Sequence, residues 1–284
     1  RFLAEGGRLA VIDKEPAESD FAEALRRDAG GDANRLCYIA AEATDEAAVA
    51  AAVDTATREV GPPDILVNNV GFGANPRPIE DFGLDEWRNF LDINLTSAFL
   101  MTRAVLPGMR SRRHGRIVNL ASVAGRSISE MSALHYSTAK AAILGFTRKL
   151  AFEEGPNGIT VNSVAPGTVF TERVETRFRA LPAAEQTQRM EEIPLRRAAR
   201  PEEIAAAILF LASDDASYIT GAALDVNGTV KTNAGPSLVL TGTAAWDTEL
   251  GALRRREQIV RFIPDDPSSH SVPGQLTLTL YLLD

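Results

Sequence analysis

The sequence predicts an α/β fold. Short apolar runs of strand character alternate with longer stretches of helical periodicity as far as about residue 231. Most of these runs are closed by glycine, proline or asparagine, as at Gly61-Pro-Pro63, Gly155-Pro156 and Pro166-Gly167. The length of 284 residues is within reach of one such domain.

Arg1-Phe-Leu-Ala-Glu-Gly-Gly7 reads as the last turn of a helix with a glycine stop. Arg8-Leu-Ala-Val-Ile12 is a short buried strand ending in Asp13. A helix over Phe21 to Ala29 and a strand over Arg35 to Ala40 follow. Thr44-Asp45-Glu46-Ala47 has the composition of a helix start, and that helix runs to about Val60. Asp64-Ile-Leu-Val67 is the next strand, and Gly71 to Pro78 a loop. Leu84 to about Met109 reads as one long helix, with Asn94 as a polar residue that needs a partner. Arg116 to Leu120 and Ile159 to Val164 are strands on either side of a helix over Ala133 to Glu154. Glu172 to Ile193 is charged and helical, either a lid over a ligand or a solvated helix pair. A helix begins with proline at Pro201 and runs to Ala212, and Gly221 to Gly228 holds a last strand.

Composition removes several function classes. The net charge of −8 argues against nucleic acid as a partner. No apolar run is long enough to span a bilayer, and no signal peptide is evident, so a cytoplasmic protein is expected. Three scattered histidines give no metal-binding spacing, and the single cysteine, Cys37, reads as a strand residue.

Chemistry is suggested by Tyr136-Ser-Thr-Ala-Lys140. Residues four apart on a helix share a face, so Lys140 lies beside the Tyr136 ring. A neighbouring ammonium lowers a phenol's pKa and makes it usable in proton transfer near neutral pH. Alone, such a pair is common. Here Ser122 precedes it by fourteen residues, Pro166-Gly167 follow Lys140 by twenty-six, and Asn68-Asn69-Val70-Gly71 and Asn94 lie upstream.

In order and spacing these motifs resemble the short-chain dehydrogenase/reductase family over about residues 1–231. The resemblance implies a Rossmann-like, doubly wound parallel sheet in three layers. It implies that Tyr136 is the general acid/base, that Lys140 lowers its pKa and contacts the nicotinamide ribose, that Ser122 holds the substrate oxygen and that Asn94 supports a proton relay. Asn69, Gly71, Pro166, Gly167, Val169 and Thr171 would line the cofactor, the last two at the carboxamide. Glu42 would lie near the adenine. Asp13 would take the adenosine ribose hydroxyls and favour NAD over NADP, unless it is simply a solvated turn residue. A small-molecule substrate and a homodimer or homotetramer are implied as well.

The family's first strand and its Gly-rich phosphate loop would precede Arg8, so the fold is expected to be truncated or rearranged there, with weakened cofactor binding. Residues 232–284 form a C-terminal extension. In it, Ser237 to Gly242 reads as strand and turn, Thr248 to Phe262 as helix, Pro264 to Pro273 as loop and Leu276 to Leu280 as strand. The extension could replace the missing strand–helix unit or serve in oligomerisation, or the sequence could be incomplete or altered. The expected activity is NAD(P)-dependent interconversion of a secondary alcohol and a ketone. Two alternatives stand beside it: a cofactor-independent, esterase-like hydrolase using Ser122 with Tyr136 and Lys140, and a catalytically silent scaffold.

Overall fold

The computed structural model describes residues 1–30, 35–129, 131–228, 258–260 and 276–278. The chain divides into two units, Arg1–Thr229 and Val230–Asp284.

In the first unit the apolar runs form six parallel strands: β1 (Leu9–Asp13), β2 (Leu36–Ala40), β3 (Ile65–Asn68), β4 (Gly115–Leu120), β5 (Ile159–Pro166) and β6 (Ala223–Val226). Eight α-helices are described: α1 (Asp20–Asp28), α2 (Glu46–Val60), α3 (Leu84–Leu91), α4 (Ser97–Arg112), α5 (Leu134–Glu154), α6 (Glu172–Arg179), α7 (Ala183–Glu191) and α8 (Pro201–Ala212). Sequence chemistry sets several helix starts. Ser19 and Asp45 cap α1 and α2 by accepting from Ala22 N and Ala48 N. Pro201 opens α8, where Glu203 accepts from Arg200 N and pairs with Arg197.

Side chains on a strand alternate between faces, and β4 and β5 use both. On one face Ile117 and Val161 meet Leu106 and Met109 of α4, Leu150 of α5 and Val53 of α2. On the other, Val118, Leu120 and Val164 meet Ile204, Leu211 and Ala212 of α8. Each large side chain buried in this way contributes about 1.5–3 kcal/mol. The result is the three-layer α/β arrangement that the sequence predicts.

The sheet is not continuous. Among the described residues β1 pairs with β2 in one sheet, while the second runs β3-β4-β5-β6. The break lies between β1 and β3, the mid-sheet place where the family pattern puts its first strand. Helix α2 packs on β1, β2 and α4, and Ile12 and Leu66 reach the same core cluster, so the two sheets share one apolar layer.

The expected long helix over Leu84 to Met109 is interrupted. Asp92–Thr96 forms a π-helical turn between α3 and α4. The last strand of the unit is also shorter than the expected 221–228 segment, because Gly221 and Gly228 adopt positive φ and turn the chain. In the second unit Gln258–Val260 pairs antiparallel with Leu276–Leu278. The helix expected over Thr248 to Phe262 is therefore replaced by strand at residues 258–260, where β-branched Ile259 and Val260 favour extended backbone. The expectations for Ser237 to Gly242 and Pro264 to Pro273 lie outside the described residues.

Candidate active site

The carboxyl ends of parallel strands are where α/β sheets bind ligands, and every predicted site residue except Asn94, Tyr136 and Lys140 follows or ends one. Asn94 comes from the π turn, and Tyr136 and Lys140 from the first turns of α5.

The π turn aims Asn94 inward. Its side chain, 1% exposed, accepts from Phe72 N at 3.2 Å and donates to Phe90 O at 3.1 Å and Phe72 O at 3.3 Å. Lys140 is buried, and its ammonium donates to Leu120 O at 2.7 Å. Burial pulls the Lys140 pKa down from 10.5 to about 8. Gly71 makes room for both groups. A methyl group there would lie 2.6 Å from Asn94 Oδ1 and 3.1 Å from Lys140 Nζ.

Ser122 caps the short turn Val123–Gly125 through Ala124 N at 3.1 Å. That turn rests on α5. A Cβ on Gly125 would come within 2.6 Å of Ala141 N and 2.7 Å of Lys140 O, so glycine allows this approach. Ser122 is thereby held against the helix that carries Tyr136. The Lys140 ammonium stands 5.8 Å from the Tyr136 ring centroid.

The electrostatics differ from expectation at one point. Lys140 was expected to lower the Tyr136 pKa. Instead burial raises the phenol above its ordinary value, and the hydrogen bond with Ser122 works against that rise.

The structure brings Asn94, Ser122, Tyr136 and Lys140 together with Gly71. Pro166 ends β5, and Gly167 N donates to Val226 O at 3.0 Å. Val169 forms an isolated parallel bridge with Ala199, and Thr171 caps α6 through Val174 N. Asp13 and Glu42 stand apart from that group, together at the ends of β1 and β2 in the smaller sheet. Asp13 accepts from Glu15 N at 3.0 Å, and Glu42 accepts from the Thr44 hydroxyl at 3.0 Å.

Asn69 is exposed, whereas its neighbour Asn68 is buried and bridges the elements around it. Asn68 Nδ2 donates to Thr102 Oγ1 at 3.0 Å and to Asn119 Oδ1 at 2.8 Å, and Asn119 Nδ2 donates to Thr147 Oγ1 at 2.9 Å. This buried chain ties β3 and β4 to α4 and α5 directly beneath the site. Its sequence signal is Asn119 between Val118 and Leu120 in a strand run, since a buried amide requires partners.

The residues fit the nicotinamide end of a dinucleotide. A buried ammonium with one carbonyl partner has further N–H groups to offer a hydroxyl, and Gly71 leaves the backbone open beside it. Asp13 and Glu42 supply acceptors suited to the adenosine end. Among the described residues no Gly-rich turn leads from a strand to a helix N-terminus between β1 and β3, so they include no pyrophosphate cradle. No group of three His, Cys, Asp or Glu among the described residues could hold a metal. No helix among them is long and apolar enough to cross a membrane.

Gly71→Ala is expected to lower turnover by about tenfold or more, because a displacement near 1 Å at such a site can cost about a hundredfold. The overpacking should cost about 1–3 kcal/mol in chemical denaturation, leaving a folded protein in which the loss can be measured.

A family model described as enoyl-(acyl carrier protein) reductase matches residues 1–230. The cis-4-hydroxycyclohexanecarboxylate dehydrogenase of Sinomonas cyclohexanicum is 39% identical over 229 residues, 80% of this chain and 88% of the relative. The NAD-bound 3-oxoacyl-[acyl-carrier protein] reductase of Brucella melitensis superposes with a TM-score of 0.70 at 34% identity, covering 80% of this chain and 82% of that one. An NADPH-bound short-chain oxidoreductase of Pseudomonas aeruginosa with an atypical catalytic centre superposes with a TM-score of 0.73 at 32% identity, covering 81% and 89%.

Proposed function

Because the chain belongs to the short-chain dehydrogenase/reductase family, whose chemistry is NAD(P)-dependent oxidoreduction, we propose that it interconverts a secondary alcohol and a ketone, with Tyr136 moving the proton. The observation that carries this reading is the buried Lys140 ammonium, bonded to Leu120 O and 5.8 Å from the Tyr136 ring, on the helix against which the Ser122 turn rests.

In the reductive direction the Tyr136 hydroxyl gives its proton to the substrate oxygen, while Ser122 donates a hydrogen bond to the same oxygen. Two donors aimed at one oxygen stabilise charge as it develops there. A phenol whose pKa is raised is protonated at neutral pH and is poised as an acid. In the oxidative direction the Tyr136 oxygen takes the proton from the substrate hydroxyl. Asn94 holds the backbone around Phe72 and so keeps the loop beside Lys140 in place. The nicotinamide, when bound, supplies or takes up the hydride. Lys140 and Tyr136 would hold it with Asn69, Gly71, Pro166, Gly167, Val169 and Thr171, and Asp13 and Glu42 would hold the adenosine. A homodimer or homotetramer suits the exposed Phe99 on α4 and Phe152 on α5, and a cytoplasmic location and a small-molecule substrate complete the reading.

NAD is the preferred cofactor in this proposal. The Asp13 carboxylate accepts hydrogen bonds from ribose hydroxyls, whereas a 2′-phosphate meets it as like charge, at a cost on the order of 1 kcal/mol even at high dielectric. Turnover is expected to require added NAD(H) or NADP(H), and calorimetric titration should give tighter binding of NAD, with the preference narrowed in Asp13→Ala. Tighter binding of NADP by the unaltered protein would remove the role given to Asp13. Turnover without either cofactor would overturn the redox reading itself.

A further inference from the structure

Tyr136 is the third residue of α5, in a turn that is poorly anchored by its own sequence. The first turn of a helix has N–H groups with no partner inside the helix, and a capping side chain stabilises it by about 1 kcal/mol. The N-cap of α5 is Ala133, which has no side chain to accept a bond. Its backbone N donates to Ala74 O at 3.1 Å. With no side-chain cap, the place of a proton donor in this turn depends on how the turn is packed.

The next residue but one supplies what the cap lacks. His135 is 0% exposed and its ring stacks on Phe90 of α3, centroids 3.5 Å apart and planes 15° apart. Phe82 meets the ring edge-on at 4.7 Å. His135 Nε2 lies 3.3 Å from Glu86 Oε1, also on α3. Glu86 in turn pairs with Arg77, whose guanidinium lies over the Phe82 ring. Glu86 and Arg77 are the charged groups facing His135. Meanwhile His135 Nδ1 is buried and meets no protein partner among the described residues. An unmet buried polar atom costs about 1–3 kcal/mol, so a phenylalanine here would serve stability at least as well. Histidine adds the bond to Glu86.

We infer that His135 is a positioning residue: clamped by Glu86 and the Phe82–Phe90 stack, it fixes the rotation of the first turn of α5 and so the place of the Tyr136 hydroxyl. The inference rests on the reading of Tyr136 as the proton-transfer group. The same stack also reaches the other side of the site. Phe72 packs on Phe90 at 4.5 Å, and the backbones of both phenylalanines hold the Asn94 amide. Asn94 and Tyr136 are thus referenced to one aromatic column.

The test is His135→Phe, which keeps a stacking ring and deletes the bond to Glu86, with Glu86→Ala as the second variant. Turnover should fall about tenfold in each, with KM within about twofold of the unaltered enzyme, because misplacement acts on the reacting geometry. The thermal midpoint of His135→Phe should not fall. Amide exchange at Ser137, whose N donates to Ala133 O at 3.0 Å, should quicken while the strands stay protected. The double variant should lose no more than the single ones, because both remove one contact. Unchanged turnover and unchanged exchange in both variants would overturn the inference, as would a loss of turnover that only accompanies global destabilisation. The exchange measurement reads the anchor whether or not Tyr136 moves the proton, so a failure of the anchor and a failure of the Tyr136 assignment are told apart.

Discussion

Replacing Tyr136 with phenylalanine is expected to lower turnover by a factor of about a hundred to ten thousand, the usual contribution of a positioned acid or base. Only a hydroxyl is lost, and at most one hydrogen bond, worth about 1 kcal/mol net, goes with it, so the fold should survive, as thermal unfolding and circular dichroism can verify. Steady-state rates with NAD(H) present then isolate the proton-transfer step. The pH profile of the unaltered enzyme gives a companion measurement. Because burial raises the phenol pKa, ketone reduction should persist through neutral pH and fade as the phenol ionises, while alcohol oxidation should rise over the same interval. Wild-type turnover in the phenylalanine variant would show that the proton comes from elsewhere.

Lys140→Met should separate activity from stability in the opposite sense from most core substitutions. Activity is expected to fall at least about a hundredfold, since the ammonium beside the phenol and its N–H donors both disappear. Stability near neutral pH should hold or increase. The pKa of Lys140 falls from 10.5 to about 8 on folding, so the folded state disfavours the charged form. A group depressed in this way adds its stability in full above 10.5 and loses it as pH falls towards 8. Below about 8 the unaltered protein bears a constant penalty, on the order of 3 kcal/mol. Methionine fills much the same volume without that penalty, although Leu120 O loses its partner. Urea unfolding at neutral pH should therefore find the variant at least as stable, and the difference should shrink towards pH 10. A variant that is less stable at neutral pH and no less active would contradict both halves of the argument.

Most of the fold was legible because its determinants are local. Strand runs such as Ile159 to Val164 and the helix from Pro201 to Ala212 carry their own periodicity and boundaries. Ser122, Tyr136, Lys140 and Asn94 come together because each lies at a strand end or helix turn that the motif spacing fixes. What the sequence concealed depends on distant partners. Nothing local distinguishes Asn68, which bridges to Thr102 and Asn119, from Asn69, which is exposed. His135 has no metal-binding spacing, and its significance lies in an aromatic neighbourhood built from residues around 72–90. The sign of the Tyr136 shift was hidden for the same reason. Spacing places an ammonium beside a phenol, but only packing decides how much water both have lost.

The π turn also changes how length acts on this protein. From Phe90, a regular helix would return its buried side near residues of about 94, 97, 101, 104 and 108, at 3.6 residues per turn. Asn94, Ala98, Thr102, Val105, Leu106 and Met109 form a buried stripe that runs one residue later, with Ser97 and Leu100 buried along its edge. The extra residue is the one that wider turn absorbs. A deletion of a single residue between Asp92 and Thr96 would let α3 and α4 fuse into one regular helix, with its stripe in phase and its packing largely kept. Asn94 would then no longer be turned towards Phe72. In this stretch the number of residues is as much a part of the site as their identity, and a change that leaves every side chain of the site in the sequence could still dismantle it.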